Sequence, residues 1–207
     1  MALRKILTDR DPVLHKTSRP VTNFDDRLHD LLDDLKETLA NAGGAGLAAP
    51  QVGILRRCVI VVDENDEMLE LVNPEVIERS EEIQDGFEGC LSVPGMWGMV
   101  ERPMRVKVRA QDRTGAFFEA EGAGIVARCF CHEIDHLDGH LFTELTDHLY
   151  TQKELDEMME AEGGKKRGGF SLWARRNLPS PRWRLCSPPA IRSAGCLRSR
   201  ISPKTEG

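Results

Sequence analysis

No apolar run in this chain is long enough to cross a bilayer as a helix. The first residues, Met1-Ala2-Leu3-Arg4-Lys5-Ile6-Leu7-Thr8-Asp9, meet charge too soon to hold the apolar core of a signal peptide. Both absences predict a soluble, cytoplasmic protein with no membrane partner. The six cysteines (Cys58, Cys90, Cys129, Cys131, Cys186, Cys196) form no CxxC pair. Without a secretory signal they read as reduced thiols, some buried and one or more open to a metal. No internal repeat is found. The Gly/Ala-rich stretch at residues 43–51 lacks the G-K-[ST] ending of a P-loop and the G-x-G-x-x-G spacing, which excludes a phosphate cradle. What remains is 207 residues, 40% hydrophobic and 30% charged, enough for one core but not for a second full-sized domain.

The net charge of -6 is unevenly spread. From Gly163 onward there are eleven basic residues and one acidic, a net of +10, which leaves -16 for residues 1–162. This predicts a body over 1–162 and an appended basic, Pro/Gly/Arg-rich tail over 163–207. The tail has no periodic plan and is expected to be disordered.

Within the body, Leu28, Leu31, Leu32, Leu35 and Leu39 recur at helical spacing, with Thr22-Asn23 as cap and Gly43-Gly44 as stop. Cys58-Val59-Ile60-Val61-Val62 reads as a buried strand. Leu69-Glu70-Leu71-Val72 reads as a second, stopped by Asn73-Pro74. Met104, Val106, Val108 and Ala110 alternate with Arg105, Lys107 and Arg109, then Asp112-Arg113-Thr114-Gly115 turns into a hairpin partner over 116–120. A helix is predicted from about Gly124 to Leu137, and a last, mostly polar one over 147–162, with a weak stripe of Leu149, Leu155, Met158 and Met159.

His132-Glu133-Ile134-Asp135-His136, in the first of these two helices, is an H-E-x-x-H motif. Residues four apart share a helix face, so both imidazoles can bind one metal ion, and Glu133 can reach a water beside it as general base. Ile125, Cys129, His132 and His136 lie on one face, in an otherwise small and apolar run that predicts burial. The third ligand is open on the residues alone. The extended zincin form would need histidine at Phe142, and His140 comes two residues early. A later glutamate (Glu154, Glu157 or Glu160) is available but sits on a polar helix. Cys90, in Glu88-Gly89-Cys90-Leu91-Ser92, is the upstream alternative.

Three segments together carry a resemblance. Gly44-Ala45-Gly46-Leu47-Ala48-Ala49-Pro50-Gln51, Glu88-Gly89-Cys90-Leu91-Ser92 and His132-Glu133-Ile134-Asp135-His136-Leu137 are similar, in order and approximate spacing, to the three motifs of bacterial peptide deformylases. The likeness runs from Asp11-Pro12-Val13-Leu14 to Gly139-His140-Leu141-Phe142, with Arg102-Pro103 between. Cys131, where many relatives carry glutamine, is one departure; the basic tail is another.

The resemblance implies one divalent metal ion per chain held by Cys90, His132 and His136, iron(II) being usual in the family and zinc, nickel or cobalt substituting. It implies N-formyl-methionyl nascent peptides as substrates. Metal-bound water would attack the formyl carbon, with Glu133 as general base and acid, while the Gln51 side-chain amide and the Leu91 N–H stabilise the oxyanion. Gly44, Ala45 and Gly46 would receive an extended peptide, and Ile125 and Cys129 would line the methionine pocket. The fold expected is α+β, short antiparallel sheets around a central helix carrying the H-E-x-x-H motif. The tail could contact the ribosome through RNA phosphates, although an appendage without a selected role fits its composition better. No specific DNA recognition is expected. The rival readings are another metallohydrolase, such as a peptidase, and a non-catalytic ribosome- or RNA-binding protein on the same scaffold.

Overall fold

The computed structural model describes residues 2–162. The body predicted for 1–162 falls almost wholly within this range, whereas the predicted tail lies outside the described residues. The elements are α1 (Asp26–Ala42), β1 (Gly46–Ala48), β2 (Cys58–Val62), β3 (Met68–Arg79), β4 (Ile83–Cys90), β5 (Val93–Pro103), β6 (Arg105–Gln111), β7 (Phe117–Ala123), α2 (Ile125–Asp138), β8 (Leu149–Thr151) and α3 (Gln152–Glu162). The strands form a five-stranded sheet, β1-β2-β3-β6-β7, and a three-stranded sheet, β4-β5-β8, antiparallel throughout. This is the α+β architecture expected, with α2 at its centre.

Strand β2 explains why the larger sheet is covered on both faces. All five of its residues are buried. Val59 and Val61 join Leu71, Val106, Val108 and Ala110 against Val126, Ala127, Phe130, Ile134 and Leu137 of α2. Cys58, Ile60 and Val62 face the other way, onto Leu28, Leu31, Leu32, Leu35 and Leu39 of α1. Successive strand side chains point to opposite faces, so an uninterrupted apolar run is what a doubly covered strand requires. β6 is covered on one side, and its Val106, Val108 and Ala110 are buried while Arg105 and Arg109 are exposed.

Several local expectations change. The cap of α1 is Asp25, whose carboxylate accepts from the Leu28 N–H at 3.1 Å, rather than Thr22 or Asn23. Gly43 ends α1 in the left-handed conformation, as its position predicts. Asn73-Pro74 does not stop the second strand. The pairing of β3 with β6 shifts between Val72 and Glu75, so the proline occupies a bulge and the strand continues. Asn73 adopts φ 51° there, and its side chain bonds the Val21 backbone and Gln111. The last helix begins at Gln152, because Leu149–Thr151 pair instead with Met96–Gly98 of β5. The β4–β5 hairpin carries no alternation and is absent from the sequence reading.

β1 ends one sheet and β4 ends the other, and residues of both approach the histidine face of α2. No helix among the described residues is long and apolar enough to cross a membrane.

Candidate metal centre

The apolar run before His132 buries α2, and burial carries the motif inside with it. His132, Glu133 and His136 are 5%, 2% and 1% exposed. Cys90 closes β4, where the pairing with β5 becomes irregular between Gly89 and Cys90. Its Sγ lies 3.2 Å from Nε2 of His136. The sulfur and one nitrogen from each of His132 and His136 all lie within 4.8 Å of one another. The two imidazoles meet edge to face, with centroids 5.0 Å apart. One soft sulfur and two imidazole nitrogens on this scale form a donor set that suits a transition-metal ion such as iron(II) or zinc. Among the described residues it is the one such group of three or more. Glu154, Glu157 and Glu160 are exposed on α3, and Glu154 accepts from the N–H and hydroxyl of Thr151. His140 is exposed and pairs with Glu144 at 2.8 Å.

Around the donors lies a buried ionic lattice. His132 Nδ1 donates to Glu88 at 2.9 Å, which leaves Nε2 as the nitrogen able to bind a metal. Glu88 also receives Arg102 through Nε and Nη2, at 2.8 and 3.1 Å, and Arg128 at 2.9 Å. Arg102 reaches on to Asp135 at 2.7 Å. Burial by itself would raise the Glu88 carboxyl, but the bonds from His132 and Arg102 outweigh it and hold the group well below the usual carboxylate range. Phe142 stacks on the His132 ring, centroids 6.0 Å apart.

Glu133 has a different environment. Burial, opposed by His132 and helped by the charges of Glu88 and Asp135, brings its carboxyl up to about 7. Its Oε2 has no hydrogen-bond partner among the described residues. A buried oxygen of this kind is placed to bond a water or substrate group in the site. Gly46 of β1 presses against it: a Cβ there would lie 2.7 Å from the Glu133 Cγ and Cδ.

Gln51 braces the opposite side. Its Oε1 accepts from the Ala48 N–H at 2.8 Å, and its Nε2 points at Cys90 Sγ, 3.4 Å away, and at Ser92 Oγ, 3.2 Å away. The structural and the catalytic readings of this side chain are therefore compatible. Leu91 follows Cys90 in the turn into β5 and is half-buried. Gly44 packs between Leu39 and Leu91, and Ala45 is buried beside it. Ile125 is half-buried and packs on the main core, of which the buried Cys129 is part. Burial, with the nearby Glu133 and Glu88 charges, pushes the Cys129 thiol well up, so it is a neutral packing group. Cys131 is buried as well.

The sequence reading gave no role to Glu88, Arg102, Arg128 or Asp135. A signal existed for two of them. Glu88 is two residues before Cys90, hence on the same strand face, and Arg128 is a lone charge in an apolar helical run.

Comparison with known proteins identifies the family. The sequence profile of the family described as Polypeptide deformylase matches residues 3–152. A peptide deformylase of Caldicellulosiruptor bescii is 53% identical over 157 residues, 76% of this chain and 93% of the relative. One from Alkaliphilus metalliredigens is 55% identical over 144 residues, 70% of this chain and 97% of the relative. The crystal structure of peptide deformylase from Thermotoga maritima superposes with a TM-score of 0.69 at 38% identity, covering 72% of this chain and all of that one. The class I type b peptide deformylase of Acinetobacter baumannii bound to Met-Ala-Ser gives 0.66 at 35% identity, covering 70% of this chain and 98% of that one. The chain belongs to the polypeptide deformylase family.

Proposed function

We propose that this protein removes the N-formyl group from the N-terminal methionine of newly synthesised polypeptides, by metal-dependent hydrolysis. The observation that carries the reading is the convergence of Cys90, His132 and His136 beside the unpartnered, buried carboxylate oxygen of Glu133. Those three side chains would hold one divalent ion, iron(II) or, in its place, zinc, nickel or cobalt. When bound, the ion lowers the pKa of a water and polarises a carbonyl.

The chain's own residues do the rest. Glu133, with a carboxyl near neutrality, is matched to take a proton from the attacking water and hand it to the departing amine. The Gln51 amide and the Leu91 N–H stand beside Cys90 and would receive the oxyanion. Gly44, Ala45 and Gly46, leading into the edge strand β1, together with the edge strand β4, would offer main-chain groups to an extended peptide. Ile125 and Cys129 would line an apolar pocket for the methionine side chain. Such a substrate places the reaction in the cytoplasm, with residues 1–162 as the catalytic unit. Binding of Met-Ala-Ser by the Acinetobacter baumannii relative supports a methionine-first peptide as the ligand class.

Formate release from formyl-Met-Ala, measured with metal content on anaerobically purified protein, tests the reading. Turnover of the formyl peptide with no cleavage of Met-Ala is expected. Cleavage of the internal peptide bond would make the protein a peptidase. Activity on neither substrate would favour a binding role.

A further inference from the structure

Arg128 lies one helical turn before His132 and is 4% exposed. A guanidinium withdrawn from water this far must satisfy its donors within the protein. Its Nη1 donates to Glu88 Oε1 at 2.9 Å, to the Val100 carbonyl at 2.8 Å and to the Gly86 carbonyl at 3.3 Å. Its Nη2 donates to the Gln84 carbonyl at 3.1 Å. One side chain of α2 thus grips both strands of the β4–β5 hairpin and a carboxylate on β4. Residue 86 is its complement. A Cβ there would lie 2.9 Å from Nη2 and 3.2 Å from Cζ of Arg128, so glycine leaves the room that the guanidinium fills.

The geometry links this grip to the metal donors. Arg128 and His132 are four apart on α2, so they share a face. Glu88 is held between them, one oxygen on each. Arg102 also holds Glu88, but it comes from β5, the neighbouring strand. Arg128 ties the carboxylate directly to the helix that carries both histidines, on the oxygen that His132 leaves free. Cys90 follows Glu88 by two residues on the same face of β4. Fixing Glu88 against α2 therefore fixes two things at once: the orientation of the His132 ring and the distance from Cys90 to the histidines.

We propose that Arg128, with Gly86 as the space it needs, is a positioning residue that acts through Glu88 to preset His132 and Cys90 for the metal. This rests on the reading of the site as a metal centre.

The test uses the full chain and three variants, Arg128→Met, Arg128→Lys and Gly86→Ala, each loaded with Co2+ or Zn2+. The readouts are the rate of metal loss to a chelator, the Co2+ absorption spectrum, the melting temperature, and kcat and KM on a formyl-Met peptide. Partners of metal-bound histidines typically change metal affinity or activity by about 10- to 100-fold when removed. Arg128→Met is expected to lose metal faster by about that factor and to shift the Co2+ spectrum, with the fall in kcat exceeding the change in KM. Gly86→Ala should change in the same direction, and Arg128→Lys should recover part of the loss. A folded Arg128→Met protein with a lower melting temperature but an unaltered spectrum and metal-release rate would overturn the proposal. If Arg128→Met does not fold, normal metal retention in both other variants would overturn it equally. An unsubstituted chain that binds neither ion would instead refute the metal-centre reading beneath it.

Discussion

At the residue scale, Glu133 is placed by two unlike neighbours. The buried helix supplies desolvation, and Gly46 supplies the space the carboxylate occupies. Glu133→Ala should keep its metal and lose about two to four orders of magnitude in kcat, the usual range for a general acid–base group. Stable, metal-replete protein with near-normal turnover would sink the assigned role. Gly46→Ala should lower kcat with metal content unchanged, because the added methyl collides with Glu133 and not with a donor; steady-state kinetics and elemental analysis on one preparation check both. Cys90→Ala removes one of three protein donors and should lose tight metal binding. Stoichiometric metal in that variant would place the third donor elsewhere.

At the scale of elements, α2 was legible because its apolar period, its H-E-x-x-H spacing and Gly139 all agree. The β4–β5 hairpin was not. Its strands include Gly86, Gly89, Gly95 and Gly98, and its buried charges break any alternation. The bulge at Asn73-Pro74 and the short β8 were equally hidden, since local turn chemistry favours a stop in the first case and helix in the second. α3 is tied down early. Leu155 is fully buried, Trp97 Nε1 donates to Gln152 at 2.8 Å, and β8 pairs with β5. Every one of these anchors precedes residue 162. A chain cut after Glu162 is therefore expected to keep its cooperative melt and its turnover of formyl-Met peptides. Loss of either on truncation would make the tail part of the domain.

For the whole molecule, the buried lattice of Glu88, Arg102, Arg128, Asp135 and His132 should set acid stability. The folded-state pKa of Glu88 is depressed, so below the ordinary value of 4.5 the unfolded chain binds more protons than the folded one. The stabilisation is present above that pH and is lost as pH falls through the depressed folded value. In metal-free protein the melting temperature should fall progressively from about pH 5 toward pH 3, and Glu88→Gln should flatten that slope. Parallel slopes in the two proteins would assign the acid sensitivity to other carboxylates.

The sequence alone determined the histidine pair, the adjacent glutamate and the long leucine helix. Each is written in spacing along a single element, and helix and strand geometry convert such spacing directly into a shared face. It also carried the resemblance that singled out Cys90 and Gln51. Tertiary structure decided the rest: which sulfur meets the histidines, which oxygen orients His132, and why Gly46 and Gly86 must be small. Those are contacts between β1, β4, β5 and α2, separated by 28 positions where Arg128 meets Val100 and by 87 where Gly46 would meet Glu133. No local period encodes a partner that far away; only folding of two sheets around α2 brings the pairs within a few ångströms.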